Sequence, residues 1–94
     1  MITIEQAIRV IGVMRQKFNA MNFINAYNDM YADNYQTDLN EYINSGDPIQ
    51  TLHQQIGRFL ADHSEELHIR KIGDCKTTNT KGFEGSKVSE WEKI

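Results

Sequence analysis

The stretch DPIQTLHQQIGRFLAD, residues 47–62, contains the clearest secondary-structure signal in the chain. Asp47 is a suitable N-cap, Pro48 suits the first helical position, and Gln50 follows three residues after the cap. Apolar residues then recur within about 100° of a helical wheel, at Ile49, Leu52, Ile56, Phe59 and Leu60. The pattern predicts an amphipathic helix over residues 48–62.

The segment before this helix predicts a turn and a short helix. Asn44-Ser45-Gly46 is typical of a helix end, and Thr37 is expected to cap a short helix that reaches Ile43. Further toward the N-terminus, an apolar stripe with helical spacing predicts another helix, and it contains Phe23, Ile24, Tyr27, Met30, Tyr31 and Tyr35.

The N-terminal segment predicts a helix over residues 4–20. Thr3 and Gln6 form a capping-box pattern, and an apolar arc runs from Ile4 to Met21. This arc lies roughly opposite the stripe of the next segment, so a single straight helix would have two apolar faces. Either the chain breaks near residues 19–22, with Asn22 as the new N-cap, or one long helix lies between two layers, as in a homodimer that also buries Val13. The break is the preferred interpretation.

The C-terminal third predicts β-structure. Residues 67–72 and 87–94 alternate loosely between apolar and polar side chains, and a threonine- and glycine-rich segment, residues 77–85, separates them. This pattern predicts a hairpin with a mobile tip, anchored on the helices by Trp91 and Ile94. The expected fold is therefore a single α+β domain over residues 1–94, with three to four helices in residues 1–65 and a β-hairpin packed on them in residues 66–94.

Charge is distributed unevenly along the chain. Residues 1–57 contain three Lys or Arg and six carboxylates, whereas residues 58–94 contain seven of each. Residues 18–57 contain five carboxylates and no Lys or Arg. Such a segment cannot contact phosphates through cations, but it can attract a basic surface.

The sequence predicts a cytoplasmic protein without a catalytic centre. The N-terminus lacks a secretory signal, no apolar run is long enough to span a bilayer, and the single cysteine, Cys75, suits a reducing compartment. The spacing of the three histidines and Cys75 does not match a metal site. Asp74 beside Cys75 opposes an activated thiol, and no nucleophile or phosphate-binding motif occurs. No catalytic residue, cofactor or metal is therefore expected.

The acidic segment, residues 22–47, is the predicted site of function. Its carboxylates, asparagines and tyrosines suit docking on a basic protein surface, and the expected partner-binding residues are Asn25, Asp29, Tyr31, Asp33, Tyr35, Asp38 and Glu41. The alternative for the tyrosines is a place in the core, which their i, i+4 spacing also predicts. The predicted function is a non-enzymatic inhibitor or small regulator, such as a bacterial or phage accessory protein, whose partner could be a nucleic-acid-binding protein.

The alternative function is DNA binding by a helix-turn-helix. Two helices joined by a turn at Gly46 match its outline, and the outer face of the second helix would present Gln50, Gln54, Gln55 and Arg58. Glutamine can read adenine through paired hydrogen bonds. The absence of cations between residues 18 and 57 argues against this function, unless Arg70, Lys71, Lys76 and Lys81 supply the phosphate contacts.

Overall fold

The computed structural model describes the backbone of residues 1–77 and 86–94 and the side chains of residues 1–74 and 88–94. The described chain forms four helices and three strands in an α+β arrangement, as the sequence predicts. In chain order these are α1 (Ile4–Gly12), β1 (Lys17–Asn19), α2 (Ala20–Met30), α3 (Ala32–Glu41), α4 (Pro48–Asp62), β2 (Ile69–Thr77) and β3 (Ser86–Lys93). The predicted mobile tip lies mostly outside the described residues.

The helix over residues 48–62 is confirmed. The Asp47 carboxylate accepts a hydrogen bond of 3.1 Å from the Gln50 backbone N–H, and Pro48 begins α4. Gly46, with φ +48°, adopts the left-handed conformation that glycine tolerates best in the preceding turn. The apolar side of α4 is buried at Leu52, Ile56 and Leu60.

The predicted helix over residues 4–20 is wrong in its second half. The Thr3–Gln6 capping box is present, but α1 ends at Gly12, and residues 17–19 form a strand. The new N-cap is Asn19, whose side chain accepts from the Asn22 backbone N–H at 2.7 Å, so Asn22 is not the cap. Because the chain turns here, both apolar arcs face one core and do not require a second copy of the chain. Val13 remains exposed.

The segment between Asn19 and Gly46 differs from the prediction in where its helices divide. Tyr31 separates α2 from α3, and Thr37 lies inside α3 instead of capping a separate helix. The helical phase was right, since Phe23, Ile24, Tyr27 and Tyr35 are buried. The apolar stripe therefore predicts the buried side, whereas the caps suggested by the sequence misplace the boundaries.

The hairpin is confirmed and gains a third strand. β2 and β3 pair antiparallel, and β1 pairs with the other edge of β3, giving the strand order β1-β3-β2. Trp91 of β3 lies opposite Phe18 of β1, and both side chains are buried, so Trp91 is an anchor as predicted. Ile94 is not an anchor, because 70% of its surface is exposed.

The core lies where the helices meet the sheet. Its fully buried side chains come from α1, α2 and α4, and the largest are Tyr27, Phe23, Ile24, Leu52, Ile56, Leu60 and Val10. Among the described residues, no helix combines the length and apolar character needed to cross a membrane.

Candidate functional site

The outward face of α2 is polar and forms one wall of a groove. The Asn19 cap fixes the start of the helix, so Phe23, Ile24 and Tyr27 point into the core. Asn22, Asn25 and Asp29 follow at i, i+3 and i+7, and these spacings share one helical face. All three residues are exposed.

The opposite wall is the segment between α1 and α2. The groove has a volume of about 480 Å³, and its lining residues are Val13, Met14, Arg15, Lys17, Phe18, Asn22, Asn25, Ala26 and Asp29. Phe18 is buried, whereas Arg15 and Lys17 are exposed. The groove thus brings cations from residues 13–17 beside the polar face of α2.

The C-terminal strand holds the wall in place. The Lys93 backbone N–H donates to the Gln16 carbonyl at 2.9 Å, and the Gln16 side chain donates to the Lys93 carbonyl. The Lys93 ammonium group donates to the Met14 carbonyl at 2.6 Å. These contacts fix the backbone on both sides of Arg15 without using its side chain.

Charges of both signs line the groove without pairing. Within the described residues, no ion pair or side-chain hydrogen bond involves Arg15, Lys17 or Asp29. The Asn22 side-chain oxygen accepts from the Asn19 backbone N–H at 3.0 Å, which leaves its amide group directed to other partners. The groove therefore offers both hydrogen-bond donors and acceptors to a ligand.

Asp38 does not belong to an exposed surface, contrary to the sequence-based expectation. It is only 3% exposed, and its carboxylate lies 3.0 Å from the Met1 amino group. The Tyr27 hydroxyl donates to the other carboxylate oxygen at 2.8 Å. A buried carboxylate needs such partners to offset its lost hydration, so Asp38 joins the first residues of the chain to α2 and α3.

The tyrosines belong mainly to the core. Tyr35 is 5% exposed, and its hydroxyl lies 2.9 Å from His53 Nε2 on α4. Tyr31 is half-buried, with its ring 5.9 Å from that of Tyr27. Tyr35 is therefore unavailable to a partner in this structure, while Tyr31 retains only a partly accessible edge.

Four of the predicted partner-binding residues are exposed, and they are Asn25, Asp29, Asp33 and Glu41. We call these four the acidic face. Asp29 lies in the last turn of α2 and Asp33 in the first turn of α3, with Glu41 at the end of α3. No ion pair of the described residues involves these three carboxylates.

The alternative DNA-binding residues are on the outer side of α4. Gln50, Gln54 and Arg58 are exposed, whereas Gln55 is half-buried. Of the proposed accessory cations, Arg70 pairs with Glu92 at 3.2 Å and Lys71 with Asp74 at 3.2 Å. The side chains of Lys76 and Lys81 lie outside the described part of the chain, as does that of Cys75.

Sequence reasoning missed the contribution of Arg15 and Lys17 to the groove. The predicted helix over residues 4–20 includes both residues, whereas in the structure they follow the end of α1. Two sequence signals could have indicated the end of α1 and the start of α2. Gly12 is unfavourable inside a helix, and Asn19 is a suitable N-cap. The role of Lys93 had no local signal, because its partners are more than 70 residues away.

Comparisons with known proteins add no family: no family model, curated protein or solved structure matches the chain. Among the described side chains, no group of three His, Cys, Asp or Glu residues comes together in a way that could hold a metal ion. His63, just after α4, lies 3.1 Å from the Glu66 carboxylate, and this contact joins two such residues and not three.

Proposed function

We propose that the protein is a non-enzymatic binding module, an inhibitor or small regulator, that docks on a basic protein surface. The observation that supports this function is the acidic face, whose three carboxylates are exposed and form no ion pair with any described residue. The underlying segment has no Lys or Arg over residues 18–57. A basic partner would therefore meet Asp33 and Glu41 without a paired cation, whereas Asp29 shares the groove with Arg15 and Lys17.

The physical effect of this face is long-range attraction. Unpaired negative charges accelerate association with a basic partner and disfavour acidic partners. Their effect on the association rate is larger than their effect on the final affinity. Nucleic-acid-binding proteins are a suitable partner class, since their surfaces carry cations arranged for phosphates. The single cysteine favours a reducing compartment, so we propose a cytoplasmic partner.

The test is affinity capture from an extract of the source organism, followed by affinity measurement with the purified partner. The Asp33→Asn/Glu41→Gln variant removes two charges from the acidic face. The control, Asp62→Asn/Glu65→Gln, removes two exposed charges elsewhere. We expect a basic partner whose affinity falls several-fold with the first variant and changes little with the control, because rim charges contribute modestly.

The salt dependence provides a second readout. Affinity for a docked basic partner should fall between about 50 and about 200 mM salt, as screening shortens the reach of exposed charges. The salt dependence should be weaker in the Asp33→Asn/Glu41→Gln variant. If both double variants lose the same affinity, the acidic face is not the docking surface.

The chain connectivity favours a second candidate function, DNA binding. A helix pair followed by a hairpin, with an earlier strand completing the sheet in the order β1-β3-β2, resembles winged helix-turn-helix domains. The chain differs by having three helices between β1 and β2 and six residues between α3 and α4. Because a shared architecture does not fix function, this candidate depends on the outer side of α4.

A mobility-shift assay on mixed-sequence duplex DNA tests this candidate. DNA binding through α4 predicts a shift that Arg58→Ala weakens and that rising salt abolishes. The matched control is Arg9→Ala, which removes an exposed cation of α1 that pairs with Glu5. Equal binding by both variants would reject α4 as the DNA-binding element.

A further inference from the structure

The groove beside α2 contains polar groups that the protein itself leaves unused. Arg15, Lys17 and Asp29 line it without forming an ion pair with any described residue. Asn25 forms no side-chain hydrogen bond within the described chain and exposes both a donor and an acceptor. A ligand with both charge signs and with amide groups would match this lining.

The charges are separated along the groove. Lys17 precedes the Asn19 cap by two residues and thus lies near the N-terminal end of α2, whereas Asp29 lies in the last turn. The helical rise from Asn22 to Asp29 is about 10 Å. Three residues of an extended chain cover about the same length, so the groove has the dimensions of a short peptide segment.

The groove is also preformed on both sides. One wall is a regular helix with a capping box at its start, and the other is fixed by the hydrogen bonds from Lys93 to Met14 and Gln16. Because the walls are already ordered, less conformational entropy is lost when a ligand binds. The buried ring of Phe18 contributes an apolar surface to the lining.

We propose that this groove binds an extended segment of the protein partner. A basic side chain of the segment contacts Asp29, an acidic side chain two to four residues away contacts Lys17 and Arg15, and the backbone amides bond to Asn25 and to the free amide of Asn22. The inference rests on the proposed function and adds to it the chemistry of the recognised segment. The acidic face attracts the partner, and the groove selects the segment.

The test is a titration of the isotope-labelled protein with blocked hexapeptides, followed by NMR chemical shifts. The probes contain Glu-Gly-Gly-Lys or Lys-Gly-Gly-Glu between terminal glycines, and the reference peptide has Gln at both charged positions. We expect one charged peptide to shift backbone signals of residues 13–29 at millimolar concentration. The neutral peptide should bind several-fold more weakly.

Variants identify the contacts. Asp29→Asn and the Arg15→Gln/Lys17→Gln pair should each weaken the charged peptide about 3- to 5-fold, the range that partly exposed charge pairs support. Asp62→Asn, at an exposed carboxylate of α4 outside both the groove and the acidic face, is the matched control and should leave the affinity unchanged. The Asp29→Lys variant should bind a peptide whose lysine is replaced by glutamate more tightly than the wild-type protein does, because the charge pair is restored with its signs reversed.

The outcomes separate this inference from the proposed function. Equal binding of charged and neutral peptides, shifts confined to other regions, or no binding would overturn the groove proposal. If the peptide experiment fails in one of these ways but the Asp33→Asn/Glu41→Gln variant loses affinity for the natural partner, the proposed docking function stands and only the groove proposal is rejected. If the peptides bind as expected but that double variant retains its partner, the acidic face fails and the groove stands.

Discussion

Asp38 is a carboxylate that the sequence places on an acidic surface and the fold places inside. Most of its neighbours in the chain are polar, but it follows the buried Tyr35 by three residues and therefore shares a helical face with that tyrosine and not with Asp33. Its actual partners are the Met1 amino group and the Tyr27 hydroxyl. No local pattern predicts a contact between residues 37 positions apart, so the ion pair with the Met1 amino group was not predictable.

The Asp38→Asn variant should be less stable than the wild type by about 2 kcal/mol, because a hydrogen bond to a charged group and an ion pair are both weakened. Glu41→Gln makes the same charge change at an exposed position of the same helix and should alter stability by less than about 0.5 kcal/mol. Urea unfolding followed by circular dichroism measures both. Equal values would contradict the buried role of Asp38.

Tyr27 makes stability sensitive to high pH. Burial, the hydrogen bond to Asp38 and the negative charge of Asp38 raise the pKa of its phenol far above the ordinary value of 10.0. Burial also raises the pKa of Tyr35. In the unfolded chain both phenols lose their protons near pH 10, whereas the folded state retains them, so the unfolded state binds fewer protons above that pH.

The free energy of unfolding should therefore be at its full value below pH 10 and fall as pH rises beyond it. Each such tyrosine contributes at most about 1.4 kcal/mol per pH unit. Tyr27→Phe should make this decline shallower, although the variant is less stable at neutral pH. Urea unfolding at a series of pH values from 9 to about 11.5 tests the slopes. Parallel declines in both proteins would show that Tyr27 ionises normally.

At the scale of elements, the boundary between α1 and α2 decides the shape of the groove. A continuous helix over residues 4–20 would leave no strand to pair with β3, whereas the observed strand puts Phe18 against Trp91 and leaves Lys17 exposed. The sequence predicts a break near residues 19–22, and the structure has Asn19 as the cap of α2 but also ends α1 earlier, at Gly12. Local propensity did not predict the strand between them, because its pairing with β3 depends on residues far along the chain.

Asn19→Ala should lower stability by about 1 kcal/mol, because the cap satisfies a backbone N–H that would otherwise be unpaired at the start of α2. Asn25→Ala is the matched control within the same helix. It is exposed and mid-helical, and alanine has the higher helix propensity, so this variant should be neutral or slightly more stable. Thermal or urea unfolding distinguishes them, and a neutral Asn19→Ala would reject the cap.

At the scale of the whole molecule, Trp91 packs the C-terminal strand against the N-terminal half of the chain. It is buried, lies opposite Phe18 and Lys71 in the sheet, and belongs to the same core as α1, α2 and α4. Its indole N–H has no hydrogen-bond partner among the described residues, so packing provides its contribution. The sequence predicted this anchor because Trp91 is the largest apolar residue of the alternating C-terminal pattern.

Trp91→Ala should therefore cost about 3–5 kcal/mol, a large part of the stability of a small domain. Ile94→Ala, at a side chain that is 70% exposed, should change stability by less than about 0.5 kcal/mol. Circular dichroism follows both unfolding transitions without depending on tryptophan fluorescence. A comparable loss in the two variants would contradict the different burial of Trp91 and Ile94.

The sequence by itself determined α4, the buried sides of the helices, the hairpin and the uneven charge. These depend on caps, periodicity and composition, whose physical effects act within a few residues. Only the tertiary structure decided that residues 17–19 form a strand, that Asp38 pairs with the Met1 amino group, and that Lys93 supports the groove. Each depends on a partner far along the chain, and such contacts form only when the whole core is assembled, because no local energy term specifies them.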